Sequence, residues 1–125
     1  MSLQSPLAPV LAYGSAKEGV HHWWVQRLTS VALIPLTAWF AVAVLSLPLD
    51  DRASVAAWVA GGWTPLLLIL FILVATWHSR LGVQVVIEDY VPGAGAKTFS
   101  LILSTFVHFL VAAAAIFAVL KVAFE

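Results

Sequence analysis

Three stretches of this chain carry no charged side chain. They lie between Arg27 and Asp50, between Arg52 and Arg80, and between Lys97 and Lys121, and they hold 22, 27 and 23 residues. A helix needs about 20 apolar residues to cross the hydrocarbon core of a bilayer. Three strands cannot close a barrel, and an open sheet edge in lipid leaves backbone groups unpaired. The chain therefore reads as an all-α integral membrane protein with three transmembrane helices. Composition excludes the alternatives. With 62% hydrophobic and 10% charged residues in 125, a soluble fold of this size could not bury its apolar surface, and disorder would need the opposite balance. A net charge of zero offers no basic field to nucleic acid. The chain has no cysteine, which excludes disulfides, thiolate zinc and cluster ligation by its own residues.

Local signals set the expected boundaries. Residues 1–19 lack a basic n-region and a cleavage site, and read as a cytoplasmic tail. The first span is expected over 20–48, kinked at Pro35 and stopped by Leu47-Pro48 before Asp50-Asp51. Residues 49–63 form an outer loop whose short surface helix is capped by Asp50 or Asp51 and ended by Gly61-Gly62. The second span covers 64–90, with Thr64 as N-cap and Pro65 at the first helical position. An inner loop over 91–96 precedes the third span, 97–125. Lys17, Arg27, Arg80 and Lys97 fall on one side, Arg52 and Lys121 on the other. Lysine and arginine favour the cytoplasmic side, so the N-terminus is expected inside and the C-terminus outside. Trp23 and Trp24 then mark the inner boundary and Trp58 and Trp63 the outer one, as an aromatic belt.

Ionisable residues inside a span are candidate functional groups. His78 lies about 20 Å along the second span and His108 about 16 Å along the third. A neutral imidazole can ligate haem iron, and it can equally make an interhelical hydrogen bond. Asp89 follows His78 by eleven residues, three helical turns, and so shares its face. Gly82, one turn after His78, leaves room for a haem edge or a neighbouring helix. Arg80, Gln84 and Glu88 form a strip on roughly the opposite side, where Arg80 can pair with Gln84 or snorkel. His22, Gln26 and Ser30 follow one another at helical spacing, with His21 and Arg27 beside them. That cluster suits a carboxylate or phosphate, haem propionates included, or lipid headgroups. Tyr90 is either a belt residue or a donor to a carbonyl at the membrane edge, such as a quinone oxygen.

The run from His78 to Val91, HSRLGVQVVIEDYV, resembles the signature of the succinate dehydrogenase hydrophobic membrane anchor family, the D subunits of respiratory complex II. His78, Gly82, Asp89 and Tyr90 occupy all four signature positions. The stretch from Gly19 to Thr29, GVHHWWVQRLT, is similar to the family's first-helix motif, a histidine with an arginine six residues on, here His21 and Arg27. The QVVIEDY wording is most like the alphaproteobacterial and mitochondrial branch. His22 departs from the usual pattern and leaves open whether it or His21 takes the propionate side.

The resemblance implies an anchor that bundles with a second, cytochrome b-type anchor subunit in a bacterial inner membrane. The pair docks a flavoprotein and an iron–sulfur subunit. The implied cofactor is haem b, shared between the anchors, with His78 as this chain's axial ligand to the haem iron. Ubiquinone is the implied substrate, at Tyr90 with Asp89 beside it. His21, His22 and Arg27 fall near the haem propionates or the quinone pocket, and Gly82 packs close to the haem. His108 matches no ligand position and returns to an interhelical or lipid-facing role. The resemblance implies an anchor that is not catalytic by itself but part of a succinate dehydrogenase complex. The competing readings are a fumarate reductase anchor, a small transporter and a cofactor-free scaffold. No carboxylate lies inside the three charge-free runs, which counts against a proton-coupled transporter.

Overall fold

The computed structural model describes residues 16–125. Four helices follow one another, α1 (Ala16–Ser46), α2 (Arg52–Ala60), α3 (Thr64–Tyr90) and α4 (Ala94–Phe124). Most of the tail expected over 1–19 lies outside the described residues, and from Ala16 the chain is helical. Three of the helices are long and apolar enough to cross a membrane.

The helix ends have identifiable causes. Asp51 caps α2, accepting from the amides of Ala53 and Ser54, two of the donors a helix start leaves without an intrahelical partner. The Gly61 amide closes α2 by donating to the Trp58 carbonyl. Thr64 is already helical in α3. Trp63 occupies the cap position, and no side chain caps this end. The sequence had placed Thr64 one step too early because a threonine before Pro65 satisfies the cap pattern equally well. At the far end, the Lys97 ammonium donates to the Glu88 carbonyl at 2.6 Å, satisfying an acceptor in the last turn of α3. Gly93 turns the chain at φ 81°, a left-handed conformation that glycine adopts without strain. The Lys97 amide then donates to the Gly93 carbonyl at 3.0 Å. The third long helix thus starts at Ala94, three residues earlier than Lys97, because its first turn needs no charge boundary once Gly93 has made the break.

α3 is the central element. It packs on α1 along one side and on α4 along the other, while α1 and α4 do not pack on each other. Both pairs are antiparallel. On the α1 side, Thr29 meets His78 and Phe40 stacks on Phe71 at 5.1 Å. On the α4 side, Ser79 meets His108 and Arg80 meets Thr105. α2 packs on α3 and α4, and its Trp58 stacks on Trp39 of α1 at 5.8 Å. Aromatic pairs of this kind contribute about 0.5–1.5 kcal/mol beyond their buried area.

Within the described residues the apolar core is three leucines, Leu36, Leu68 and Leu81. Large apolar side chains such as Leu45, Leu110 and Phe117 are exposed. A water-soluble chain would not tolerate this. The outer surfaces of the helices must instead meet lipid or other membrane helices.

Candidate functional site

The site begins with His78, half-buried where α3 faces α1. Its Nδ1 lies 2.9 Å from the Thr29 hydroxyl. Its Nε2 lies 3.4 Å from the Gln26 side-chain nitrogen, the long limit for a hydrogen bond. Gln26 and Thr29 are three residues apart on α1, which places both side chains on the same face. The Thr29 hydroxyl has the Val25 carbonyl at 2.9 Å and the Gln26 carbonyl at 3.0 Å as acceptors for its single hydrogen, which pins its rotamer. Ser30 likewise donates to the Gln26 carbonyl at 2.8 Å.

Among the described residues, two buried polar atoms on this face of α1 have no hydrogen-bond partner, Gln26 Oε1 at the contact and His22 Nε2 one turn before it. Buried polar groups are nearly always paired, so each such atom requires a reason. Gly82 lies one turn from His78 toward Tyr90. A methyl group placed on it would meet only the Gln26 amide nitrogen, at 3.9 Å. Among the described residues nothing demands glycine there, and apart from the Gln26 contact the space it leaves is open. An imidazole nitrogen without a strong partner, two orphaned polar atoms and an open flank fit a planar prosthetic group bound at His78. No group of three histidine or acidic side chains among the described residues could hold a metal ion alone. Iron at His78 would need its remaining ligands from outside that set.

The other expected residues fall into two places. Asp89 and Tyr90 are exposed at the end of α3, Tyr90 to 81%. His21 is exposed and His22 half-buried near the start of α1, and Arg27 lies over the Trp23 ring at 5.5 Å. Counted from the Thr29–His78 contact, His22 lies about 10 Å and Tyr90 about 18 Å toward the same end of the antiparallel pair. Among the described residues, no hydrogen bond joins His21, His22 or Arg27 to His78, Asp89 or Tyr90. Among the described residues, Gln26 and Thr29 are the α1 side chains within hydrogen-bonding distance of His78. Sequence spacing had singled out Gln26 for its own helix, and Thr29 not at all. Its position, seven residues after His22 on the same face, was the available signal.

Arg80 does not pair with Gln84. Its Nε donates to the Thr105 hydroxyl of α4 at 3.4 Å, and its guanidinium lies 5.5 Å from the Trp77 ring centre. Gln84 instead donates to Glu88 at 2.8 Å. The guanidinium gains a cation–π contact and an interhelical acceptor, and an amide one turn away offers less. His108 is occupied within the bundle. Its Nδ1 donates to the Ser104 carbonyl at 2.7 Å, and its Nε2 lies 3.1 Å from the Ser79 hydroxyl.

The family of succinate dehydrogenase/fumarate reductase transmembrane subunits matches residues 1–119. The chain belongs to that family. It is 31% identical to the succinate dehydrogenase hydrophobic membrane anchor subunit of Paracoccus denitrificans over 108 residues, 86% of this chain and 83% of that protein. The succinate dehydrogenase membrane anchor subunit of Reclinomonas americana is 31% identical over 98 residues, 75% of this chain and 81% of the relative. The corresponding hydrophobic anchor subunit of Rickettsia conorii is 33% identical over 79 residues, 62% of this chain. The chain spans 63% of that Rickettsia protein's length, just under two thirds. No solved structure matches the chain. A transmembrane subunit family agrees with three long apolar helices whose buried core among the described residues is only three leucines.

Proposed function

We propose that this chain is the hydrophobic membrane anchor subunit of a succinate:ubiquinone oxidoreductase, respiratory complex II. In this reading it bundles with a second, cytochrome b-type anchor and docks an iron–sulfur and a flavoprotein subunit at the end of the bundle that carries Tyr90. The observation that carries the reading is the arrangement on α3. A histidine with one engaged and one idle ring nitrogen lies about 18 Å from an exposed aspartate–tyrosine pair on the same helix. The names of the relatives favour the succinate-oxidising direction over fumarate reduction.

Each residue's part follows from its surroundings. His78 would hold the iron of haem b through the ring nitrogen that Thr29 does not engage. Gln26 and His22 supply polar atoms beside it, and Arg27 a nearby cation, suited to propionate carboxylates. Gly82 leaves the flank of the imidazole open. Bound there, the haem supplies a one-electron store within the membrane. Tyr90 donates its phenolic hydrogen to a ubiquinone carbonyl at the membrane edge, and that bond strengthens as the oxygen gains negative charge. Asp89 orients Tyr90 or passes it a proton from the inner side. The exposure of both residues supports a pocket completed by another subunit.

The test is an optical spectrum of the complex purified in mild detergent. The iron–sulfur and flavoprotein subunits are expected to co-purify with a low-spin b-type haem, and the signal is expected to vanish in His78→Ala. A signal that survives that substitution overturns the ligand assignment. The proposed orientation, N-terminus inside, is tested separately with single cysteines, since the chain has none. An impermeant thiol reagent added outside is expected to label Asp50→Cys and to miss Gly95→Cys.

A further inference from the structure

We infer that Thr29 is the positioning residue for His78. It fixes the imidazole tautomer, with the hydrogen on Nδ1 and the free electron pair on Nε2, and so selects the nitrogen that meets iron. The inference rests on the haem reading above and deepens it.

The argument is one of hydrogen accounting. A threonine hydroxyl has one hydrogen to donate and lone pairs to accept with. At Thr29 two backbone carbonyls lie in donating range, Val25 at 2.9 Å and Gln26 at 3.0 Å. This is the usual back-bonding of a helical threonine, and it engages the hydroxyl hydrogen. The oxygen therefore faces His78 Nδ1, 2.9 Å away, as an acceptor, and Nδ1 carries the hydrogen. A neutral imidazole with its hydrogen on Nδ1 has its electron pair on Nε2. The second contact is compatible with that tautomer. The Gln26 side-chain nitrogen, 3.4 Å from Nε2, is a donor and faces the electron pair. Its length makes it the weaker of the two contacts and the one that an incoming ligand displaces. Threonine also suits the task mechanically. Its branched β-carbon restricts χ1, and donation to its own helix holds the oxygen in place before His78 is liganded.

An acceptor on the distal ring nitrogen raises the basicity of a histidine ligand and fixes its plane, and removing such a partner typically weakens metal affinity by 10–100-fold. A more basic imidazole favours ferric over ferrous iron. Thr29→Val keeps the shape and removes the acceptor. In the purified complex it is expected to raise the haem midpoint potential, shift the low-spin electron paramagnetic resonance lines and release haem 10–100-fold more readily. Thr29→Ser, which restores the hydroxyl, is expected to restore all three. If Thr29→Val does not assemble, Thr29→Cys, with a far weaker acceptor, is read in its place and is expected to move the same way. Two results overturn the inference while leaving His78 as ligand: a valine or cysteine variant with unchanged potential and resonance lines, or a serine variant that shifts as far as valine. A haem signal that persists in His78→Ala removes the haem reading itself, and the role of Thr29 with it. The two failures are thus told apart.

Discussion

The two sides of α3 each hold a half-buried histidine, and they use it differently. On the α4 side, His108 donates from Nδ1 to its own helix at Ser104 and meets the Ser79 hydroxyl at Nε2, so both ring nitrogens are engaged within the bundle. On the α1 side, His78 is also fixed at Nδ1, but across the helix interface, by the Thr29 hydroxyl. Its Nε2 has only the long Gln26 contact, with two unpartnered buried atoms nearby. The difference lies at one nitrogen. A histidine saturated by its own chain joins two helices, whereas a histidine with one nitrogen fixed and the other idle is prepared for something from outside. Position along the helix does not separate the two, since both lie near mid-span.

The most direct way to break this comparison is to exchange the roles. His78→Ala is expected to abolish the low-spin haem signal, and His108→Ala to leave its line shape and amplitude intact in the assembled complex. Loss of the signal in the second variant with assembly intact would show that His108 is not the saturated partner described here. The next effect concerns the far end of α3. Tyr90→Phe removes one hydroxyl at the proposed quinone pocket. A single hydrogen bond contributes about 0.5–1.5 kcal/mol, so quinone reduction is expected to slow by up to about tenfold. Succinate oxidation measured with a soluble dye is expected to persist, and unchanged quinone turnover would remove Tyr90 from the pocket.

Much of this was legible in the sequence, and the reasons are physical. Charge-free runs mark spans because a charge in hydrocarbon is costly, and α1, α3 and α4 each overlap one of those runs, although α3 continues past Arg80 to Tyr90 and the start of the middle run forms α2. The spacing of His78, Gly82 and Asp89 was readable because residues on one helix keep a fixed angular relation. What could not be read is whatever crosses between helices. Thr29 against His78 depends on the antiparallel register of α1 on α3, which packing such as Phe40 on Phe71 sets, and Arg80 against Thr105 and Ser79 against His108 depend on the separate register of α4 on α3. A threonine in a helix also back-bonds to its own carbonyls wherever it occurs. Its sequence context therefore does not announce that the oxygen's other side faces an imidazole. Arg80 went to α4 and not to Gln84 because the acceptor and the ring were supplied by tertiary structure and by Trp77, neither of which a spacing rule for charged pairs includes.

A smaller effect tests the α4 side alone. Ser79→Ala takes away the hydroxyl facing His108 Nε2 and leaves that nitrogen without its interhelical partner. Side-chain hydrogen bonds between membrane helices average about 0.6 kcal/mol and reach about 1.7. The variant is expected to lose stability within that range in detergent unfolding, with the haem spectrum unaltered. A change in the haem potential would mean that the two sides of α3 are coupled and that the comparison is too simple.

The smallest expected effect sets a reference for hydroxyl bonds outside the span. Asp51, fully exposed at the start of α2, accepts from the Ser54 hydroxyl and from the Ser54 and Ala53 amides. Those bonds, the Ser54 hydroxyl first, hold its carboxyl below the ordinary aspartate pKa. A lowered folded-state pKa means that the cap's contribution is complete above the unfolded pKa and is lost as pH falls through the folded one. In a nuclear magnetic resonance titration, the Asp51 carboxyl is expected to titrate below the ordinary aspartate value, and Ser54→Ala to move it back upward. Asp51→Asn keeps a good cap residue without a titrating group, and is expected to make the stability of α2 independent of pH across that window. If Ser54→Ala leaves the Asp51 titration unmoved, a serine hydroxyl in water contributes nothing measurable here. The Ser79–His108 bond would then owe its strength to its place inside the span, the distinction on which the difference between the water-facing and membrane-embedded hydroxyls depends.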